Sequence, residues 1–283
     1  METFNTQGYN IPVPLMLMTG GGPDTFEAIS EAHIQNLQKH IGINPDASIV
    51  EIGCGIGRDA IPLSKLLSSN GRYLGIDIIK PSIDWCAENI SSRHKNFKFI
   101  HFDVKDQLHN PAGTEKTTSI HIPVDNHSVD LVILQSVFTH MFREDILHYM
   151  KEFRRILKQD GKIYATVFIV NNEILCTARR TNLTKFNLRF MHEWEPGCLI
   201  NDPAAPAGAV AYTANFFESI VRSANLKLLR PYLKGSWSGY YENPDDGQDV
   251  AIIGRPSAGD ERSDVAEKGF VHWVKAKLKL LPK

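Results

Sequence analysis

Glycine and acidic residues follow a short apolar run at a spacing that could hold a small ligand against the backbone. Residues 49–58 read IVEIGCGIGR, so Glu51 stands ahead of Gly53, Gly55 and Gly57. Glycine lacks a β-carbon and reaches positive φ readily, which lets a flat ligand approach the N–H groups of such a turn closely. A carboxylate ahead of the turn suits a cationic ligand. The segment therefore predicts a strand that runs into a ligand-binding turn.

The same turn has a second interpretation as the dinucleotide fingerprint G-x-G-x-x-G/A. That fingerprint needs a small third residue, so that the next helix packs closely on the strand and its N-terminus meets a pyrophosphate. Here Arg58 stands at the third position, and the carboxylate of Glu51 would repel a pyrophosphate. A nicotinamide-dependent oxidoreductase is therefore the weaker interpretation, and an assay of NAD binding would test it.

Acidic residues also close the next two predicted strands. Asp77 ends the strand 72–77, and an acid at that position can accept both hydroxyls of a ribose. Asp103 ends the alternating strand that follows, where it could receive an adenine amino group, and Asp106 is the alternative for this role. Ligands of parallel sheets bind outside the carboxyl ends of the strands, so we expect these acids to line one crevice.

Two polar residues follow the fourth predicted strand. Gln135 ends a nearly continuous apolar run, as expected of a central parallel strand that is buried on both faces. His140 lies five residues further on and has an unperturbed pKa close to neutral pH, so it could take a proton from a hydroxyl. The alternative is a buried histidine that ties a loop to the sheet.

Composition limits the classes of partner and the compartment. The 283 residues carry a formal net charge of −1, and this lack of a basic excess argues against nucleic acid as a partner. The four cysteines show no C-x-x-C or Cys/His spacing, so we expect no metal site and read them as free thiols in a reducing cytoplasm. No run approaches the roughly 18 to 20 apolar residues of a membrane span, and the first twenty residues show no basic region before an apolar core, so we expect neither a span nor a secretion signal.

The order of these features resembles the class I S-adenosylmethionine-dependent methyltransferases over roughly residues 25–255. The resemblance rests on the glycine turn, Asp77, Asp103, the strand 130–135 and the helix–strand pair 152–164. It implies an α/β, Rossmann-like sheet of seven mostly parallel strands with helices on both faces, and S-adenosylmethionine as the cofactor. The cofactor-binding residues that it implies are Glu51, Gly53, Gly55, Gly57, Asp77, Asp103 and Gln135.

The segment 135–141, which reads QSVFTHM, resembles a methyltransferase subgroup associated with glycan and natural-product modification. We therefore expect methyl transfer to a hydroxyl of a small molecule or glycan, with His140 as the general base. An amine acceptor is the alternative, since it could dispense with His140. A non-catalytic subunit that binds S-adenosylmethionine is a further alternative, although a long insertion argues for an acceptor pocket.

The sequence divides into an arm, a domain and a tail. Residues 1–24 predict an extended arm that either caps the crevice or straps the domain, and 25–255 form the methyltransferase domain. Within it, 171–211 break the pattern and predict an insertion on the substrate side. Residues 256–283 predict a linker and a basic amphipathic helix. Such a helix at 268–283 is typical of peripheral membrane contact, and packing on the domain or on a second subunit is the alternative.

Overall fold

The computed structural model describes residues 2–184 and 186–257. The amphipathic helix that we predict at 268–283, and the linker beyond 257, lie outside these residues. The strands, numbered along the chain, are β1 (Thr3–Thr6), β2 (Tyr9–Pro12), β3 (Ser48–Ile52), β4 (Arg72–Asp77), β5 (Phe97–His101), β6 (Val129–Leu134), β7 (Leu157–Val167), β8 (Ile169–Val170), β9 (His192–Glu195), β10 (Cys198–Ile200), β11 (Val210–Thr213), β12 (Lys227–Leu228) and β13 (Asp249–Gly254).

Seven of these strands form the central sheet in the order β12-β13-β7-β6-β3-β4-β5. Strands β3 to β7 are parallel to one another, whereas β13 is antiparallel to both β7 and β12. The chain moves outward from β3 to β5 and then returns to place β6 on the other side of β3. The order thus reverses between β3 and β6. The predicted seven-stranded, mostly parallel sheet is confirmed.

Helices cover both faces of this sheet because successive side chains of a buried strand point to opposite sides. The helices are α1 (Val13–Leu17), α2 (Phe26–His40), α3 (Ala60–Leu66), α4 (Lys80–Asn89), α5 (Arg143–Ile156), α6 (Asn172–Thr181) and α7 (Ala214–Ser223), with 3-10 turns at Thr117–Ser119, Phe138–His140 and Pro206–Gly208. Val50 and Val132 pack in one core cluster with α5 and α7. Ile49 and Ile133 pack in another with α2, α3 and α4.

The segment that we predict as an insertion contains α6, β9 and β10, and these two strands form a second, smaller sheet with β8 and β11. The strands of this sheet lie in the order β8-β11-β10-β9. Strand β11 is parallel to β8, whereas β10 is antiparallel to both β11 and β9. Phe168, Phe190 and Trp237 form an aromatic cluster beside this sheet, with ring centroids 5.0 to 5.6 Å apart. Trp237 is therefore buried in packing.

The N-terminal arm begins with the hairpin β1–β2 and continues through α1. Tyr9, Ile11 and Met16 are buried in the core cluster of the α2 face, so this part of the arm packs on the domain. None of the helices in the two described ranges combines the length and the apolarity of a membrane span.

Candidate functional site

The glycine turn lies where the strand order of the sheet reverses. It follows β3, and Gln135 follows the neighbouring strand β6 on the other side of the reversal. Open α/β sheets bind their ligands at this topological switch point, outside the carboxyl ends of the strands. The sheet thus brings together Gln135, the turn and Asp77 at the end of β4.

Each glycine of the turn has a positive φ, at +75° for Gly53, +53° for Gly55 and +79° for Gly57. The missing β-carbons also make room for side chains of the protein. A β-carbon on Gly53 would lie 2.5 Å from Cγ2 of Val137, and one on Gly55 would lie 2.8 Å from Cγ2 of Thr19. The turn therefore needs glycine for two reasons, its positive φ and the close packing of other side chains. The glycine spacing predicts only the approach of a ligand and does not indicate this packing.

Most N–H groups of the turn are already paired within the protein. Gly53 and Cys54 donate to the carbonyl of Ile76, and Gly57 donates to the carbonyl of Cys54. Gly55 donates to Oδ2 of Asp77 at 2.7 Å. Gly53 is half-buried, whereas Gly55 and Gly57 are buried, so a ligand at this turn would meet Gly53 and would not need these four N–H groups.

Asp77 is buried and accepts two backbone hydrogen bonds. Its Oδ2 receives the N–H of Gly55, and its Oδ1 receives the N–H of Ile79 at 2.8 Å. Burial raises the pKa of the Asp77 carboxyl, and these hydrogen bonds and His109 oppose that shift. Because a carboxylate oxygen can accept more than one hydrogen bond, Asp77 keeps acceptor capacity for hydroxyl groups.

Glu51 lies in a buried polar network beneath the turn. The Tyr73 hydroxyl donates to its carboxylate, and only 3% of Glu51 is exposed. Burial raises the pKa of Glu51 well above its usual value, and the carboxylate of Asp59 adds to this rise. Burial also disfavours ionisation of Asp59, yet His33, with Nδ1 2.9 Å from Asp59 Oδ2, brings its pKa below the usual value. Of these two carboxyl groups, Glu51 is thus the one whose ionisation the surroundings disfavour.

Asp103 and Asp106 both lie in the loop after β5, and each is engaged by that loop. Asp103 accepts from the Thr114 hydroxyl at 2.7 Å and from Nδ2 of Asn110 at 3.2 Å. Asp106 lies 3.3 Å from Nδ1 of His109. These contacts order the loop beside Asp77. The assignment of Asp103 to the adenine stays a prediction.

The side-chain amide nitrogen of Gln135 has no partner among the described residues. The residue is 7% exposed, and this nitrogen, Nε2, is buried. The next residue, Ser136, has a φ of +57°, and its N–H donates to Oγ1 of Thr166 at 2.7 Å. A positive φ at a residue other than glycine stores strain of about 1 to 3 kcal/mol, and such residues cluster at ligand sites. An unpaired buried donor beside this strained residue fits a bound polar ligand.

His140 is held by the insertion. Its Nδ1 lies 2.9 Å from the carbonyl oxygen of Ala207, so we assign the Nδ1–H tautomer, which leaves Nε2 as an acceptor. Burial lowers the pKa of His140, and the nearby His109 lowers it further. The same segment is fixed by the hydroxyl of Tyr212, which donates to the carbonyl of Met141 at 2.6 Å. His140 thus combines a fixed ring with a neutral imidazole.

Three residues at this site had no role in the sequence interpretation. Thr19 of the arm lies over Gly55, and its carbonyl accepts from Nη1 of Arg58 at 3.0 Å. Val137 packs on Gly53, and His109 lies beside His140 with ring centroids 6.3 Å apart. The D-x-x-H spacing of Asp106 and His109 is the one signal that could have indicated the last of these. In the described residues, no group of three or more His, Cys, Asp or Glu side chains could hold a metal ion.

Comparison with known proteins agrees with this geometry. Residues 50–163 match the family described as a methyltransferase domain. Over 129 residues the chain is 25% identical to the demethylmenaquinone methyltransferase of Staphylococcus aureus (strain MRSA252), an overlap that covers 46% of this chain and 46% of that protein. The chain thus spans about half the length of the curated relatives of this name that it matches.

Solved structures share the fold. A protein of Pyrococcus horikoshii OT3 matches with a TM-score of 0.54 at 16% identity, over 84% of this chain and 93% of that one. The mitomycin 7-O-methyltransferase MmcR matches with a TM-score of 0.51 at 13% identity, over 83% of this chain and 55% of that one. Residues 50–163 therefore match a methyltransferase-domain family, and the chain shares the fold of these solved structures.

Proposed function

We propose that the protein transfers a methyl group from S-adenosylmethionine to a hydroxyl oxygen of a small molecule or glycan. The observation that carries this proposal is the anchored imidazole of His140 beside the cofactor turn. Its segment touches the turn through Val137 and Gly53, and the Ala207 carbonyl occupies its Nδ1. A neutral, oriented imidazole is the group that a hydroxyl acceptor needs and that an amine acceptor could do without.

The strand ends fit the cofactor on chemical grounds. Asp77 has spare acceptor capacity for ribose hydroxyls, and the unpaired Nε2 of Gln135 needs an acceptor. We assign Asp103 to the adenine. Glu51 contributes either to the methionyl amino group or to fixing the turn, and its bond to the Tyr73 hydroxyl supports the second role. Gly53, Gly55 and Gly57 would give the turn the conformation that the cofactor site needs.

The chain's own part in the reaction is positioning and proton transfer. S-adenosylmethionine supplies a methyl group that its sulfonium already activates. The protein must hold the acceptor oxygen in line with that carbon, and such positioning is worth roughly 7 to 11 kcal/mol. Nε2 of His140 would take the hydroxyl proton as the acceptor oxygen gains the methyl group, and the donor would leave as S-adenosylhomocysteine.

The insertion and the arm would form the walls of the acceptor site. Ala207 of the insertion binds His140, and the exposed Trp194 packs on Phe142 with ring centroids 4.8 Å apart. Thr19 of the arm covers the turn from another direction. The staphylococcal relative is named for a small-molecule acceptor, demethylmenaquinone, which supports an acceptor of this class here.

Binding and transfer can be tested in sequence with the full chain. Calorimetry should detect the binding of S-adenosylhomocysteine to the full chain. With S-adenosylmethionine labelled in its methyl group, the protein should then label hydroxyl compounds in preference to amines of the same carbon skeleton. Label on the amine alone would replace the proposal with N-methylation. Tight binding of the donor without transfer to any acceptor would favour a non-catalytic subunit, and no binding at millimolar ligand would exclude both.

A further inference from the structure

Asp106 and His109 form a fixed pair in the loop after β5. Oδ1 of Asp106 accepts the backbone N–H of Leu108 at 2.9 Å and that of His109 at 2.7 Å. The same oxygen lies 3.3 Å from Nδ1 of the His109 ring. A carboxylate that is held by two backbone donors is itself oriented, so it in turn fixes the imidazole, as the acid does in an Asp–His pair of a catalytic triad.

The pair faces the proposed base. The rings of His109 and His140 meet edge to face, at an interplanar angle of 79° and a centroid separation of 6.3 Å. The side chains of His109 and Asp106 are 30% and 26% exposed, so the pair is partly shielded from solvent. His140 cannot turn away from this contact without losing its hydrogen bond to Ala207.

We propose that His109, fixed by Asp106, is a positioning residue that sets the orientation and the charge state of His140. This inference rests on the proposed function of His140 as the base. The edge-to-face contact limits the tilt of the His140 ring on one side, and the Ala207 carbonyl limits it on the other. A positive charge on His109 disfavours a second positive charge on His140, which keeps the base neutral and ready to accept a proton.

The charged and titratable groups around both rings agree with this role. Asp106 and Asp77 face His109, and the hydrogen bond to Asp106 raises the pKa of His109. His140 is surrounded by His109, Asp106 and the backbone of Ala207 and Gly208. Among the charged side chains, His109 has the larger influence and lowers the pKa of His140, while Asp106 opposes it. The two histidines therefore titrate as an interacting pair.

Nuclear magnetic resonance titration of the histidines in the full chain tests the inference without any acceptor. In His109→Gln, the midpoint of His140 should rise by about 0.5 to 2 pH units, the range that Coulomb's law gives for unit charges about 6 Å apart at effective dielectric constants of about 80 to 20. His94→Gln is the matched control, because His94 is also a partly buried histidine but binds Tyr9 on another part of the domain. It should leave the midpoint of His140 unchanged.

A second variant keeps the test informative if His109→Gln does not fold. Asp106→Asn should lower the midpoint of His109, since it removes the carboxylate that stabilises the imidazolium. An unchanged midpoint of His140 in His109→Gln, or of His109 in Asp106→Asn, overturns the inference whatever the activity. If both midpoints shift as expected but the protein labels no hydroxyl compound, the electrostatic coupling of the two histidines is supported and the proposed function is rejected.

Kinetics adds a readout that a merely structural role would not change. In His109→Gln, the acid limb of the kcat/KM profile should move up with the midpoint of His140. At pH values below the His140 midpoints of both the wild type and the variant, kcat/KM should fall by about threefold to 100-fold. This is the factor by which a shift of about 0.5 to 2 pH units reduces the neutral fraction of His140. The affinity for S-adenosylhomocysteine should stay within twofold of the wild type. A loss that is equal at every pH would mean that His109 does not set the charge of His140.

Discussion

The N–H of Gly55 donates to Oδ2 of Asp77 at 2.7 Å, so the carboxylate that we assign to the ribose also closes the glycine turn. The two residues are 22 positions apart: Gly55 lies in the turn after β3, and Asp77 ends the neighbouring strand β4. Because one side chain joins two parts of the cofactor crevice, its removal should affect the shape of the site as well as a direct contact.

Asp77→Ala should therefore weaken the binding of S-adenosylhomocysteine at least tenfold and also destabilise the fold. The N–H groups of Gly55 and Ile79 would lose their acceptor, which costs about 1 to 3 kcal/mol for a buried donor. Calorimetry and urea unfolding measure the two effects. Asp84→Ala removes an exposed carboxylate that binds Lys80 in the following helix and should change neither. Unchanged affinity in Asp77→Ala contradicts the ribose assignment.

Gly55→Ala tests the packing of the arm on the turn. A left-handed φ of +53° costs a residue with a β-carbon about 1 to 2 kcal/mol, and the new methyl group would lie 2.8 Å from Cγ2 of Thr19. We expect lower stability and weaker cofactor binding. Thr19→Ser removes that Cγ2 and keeps the hydroxyl that binds the Met16 carbonyl, so the double variant should recover part of the loss. No recovery would mean that the arm does not press on the turn.

Much of this arrangement could be predicted because it depends on strands. The apolar runs that form β3, β4 and β6 have the length and burial of central parallel strands, and the ends of parallel strands meet at one edge. The positions of Asp77 and Gln135 follow from that rule. The seven-stranded sheet was predictable for the same reason, together with the resemblance of the whole pattern to a known family.

The remaining contacts depend on loop conformations that no periodic pattern encodes. The strands of the second sheet span two to four residues each, which is too short to show an alternating period. The Ala207 carbonyl therefore reaches His140 from a segment whose fold the sequence did not indicate. Thr19 meets Gly55 across 36 positions in the same way.

Glu51→Gln should remove a pH dependence of stability. Burial, with Asp59 next in effect, raises the pKa of Glu51, and Asp77 adds to the rise, while the Tyr73 hydroxyl and Arg58 oppose it. A raised pKa means that the folded state holds the proton longer than the unfolded state. The contribution of Glu51 is therefore complete below about pH 4.5 and is lost as the pH rises through the higher folded value.

Urea unfolding at pH 5, 7 and 9 measures this effect. Glutamine resembles the protonated side chain, so Glu51→Gln should gain stability relative to the wild type as the pH rises. Glu144→Gln makes the same charge change at an exposed position in the first turn of α5 and serves as the control. A difference between Glu51→Gln and the wild type that shrinks with rising pH would show that Glu51 is ionised and stabilising in the fold.

His140→Ala separates a general base from a histidine that only holds the insertion. Loss of a base should reduce kcat by roughly 10² to 10⁴ and leave the affinity for S-adenosylhomocysteine intact. Loss of turnover and cofactor affinity together would indicate a structural role, since the hydrogen bond to Ala207 ties the segment to the insertion. His94→Ala, a partly buried histidine that binds Tyr9, should change neither quantity.

The pH profile of the wild type gives an independent check on the same residue. Burial and His109 lower the pKa of His140, so its imidazole stays neutral to lower pH than that of an ordinary histidine. A base must be neutral to accept a proton, and the acid limb of kcat/KM should therefore lie below about pH 6.5. The limb should disappear in His140→Ala. If it persists there unchanged, another group accepts the proton, and His140 serves to hold Ala207 and the wall of the acceptor site.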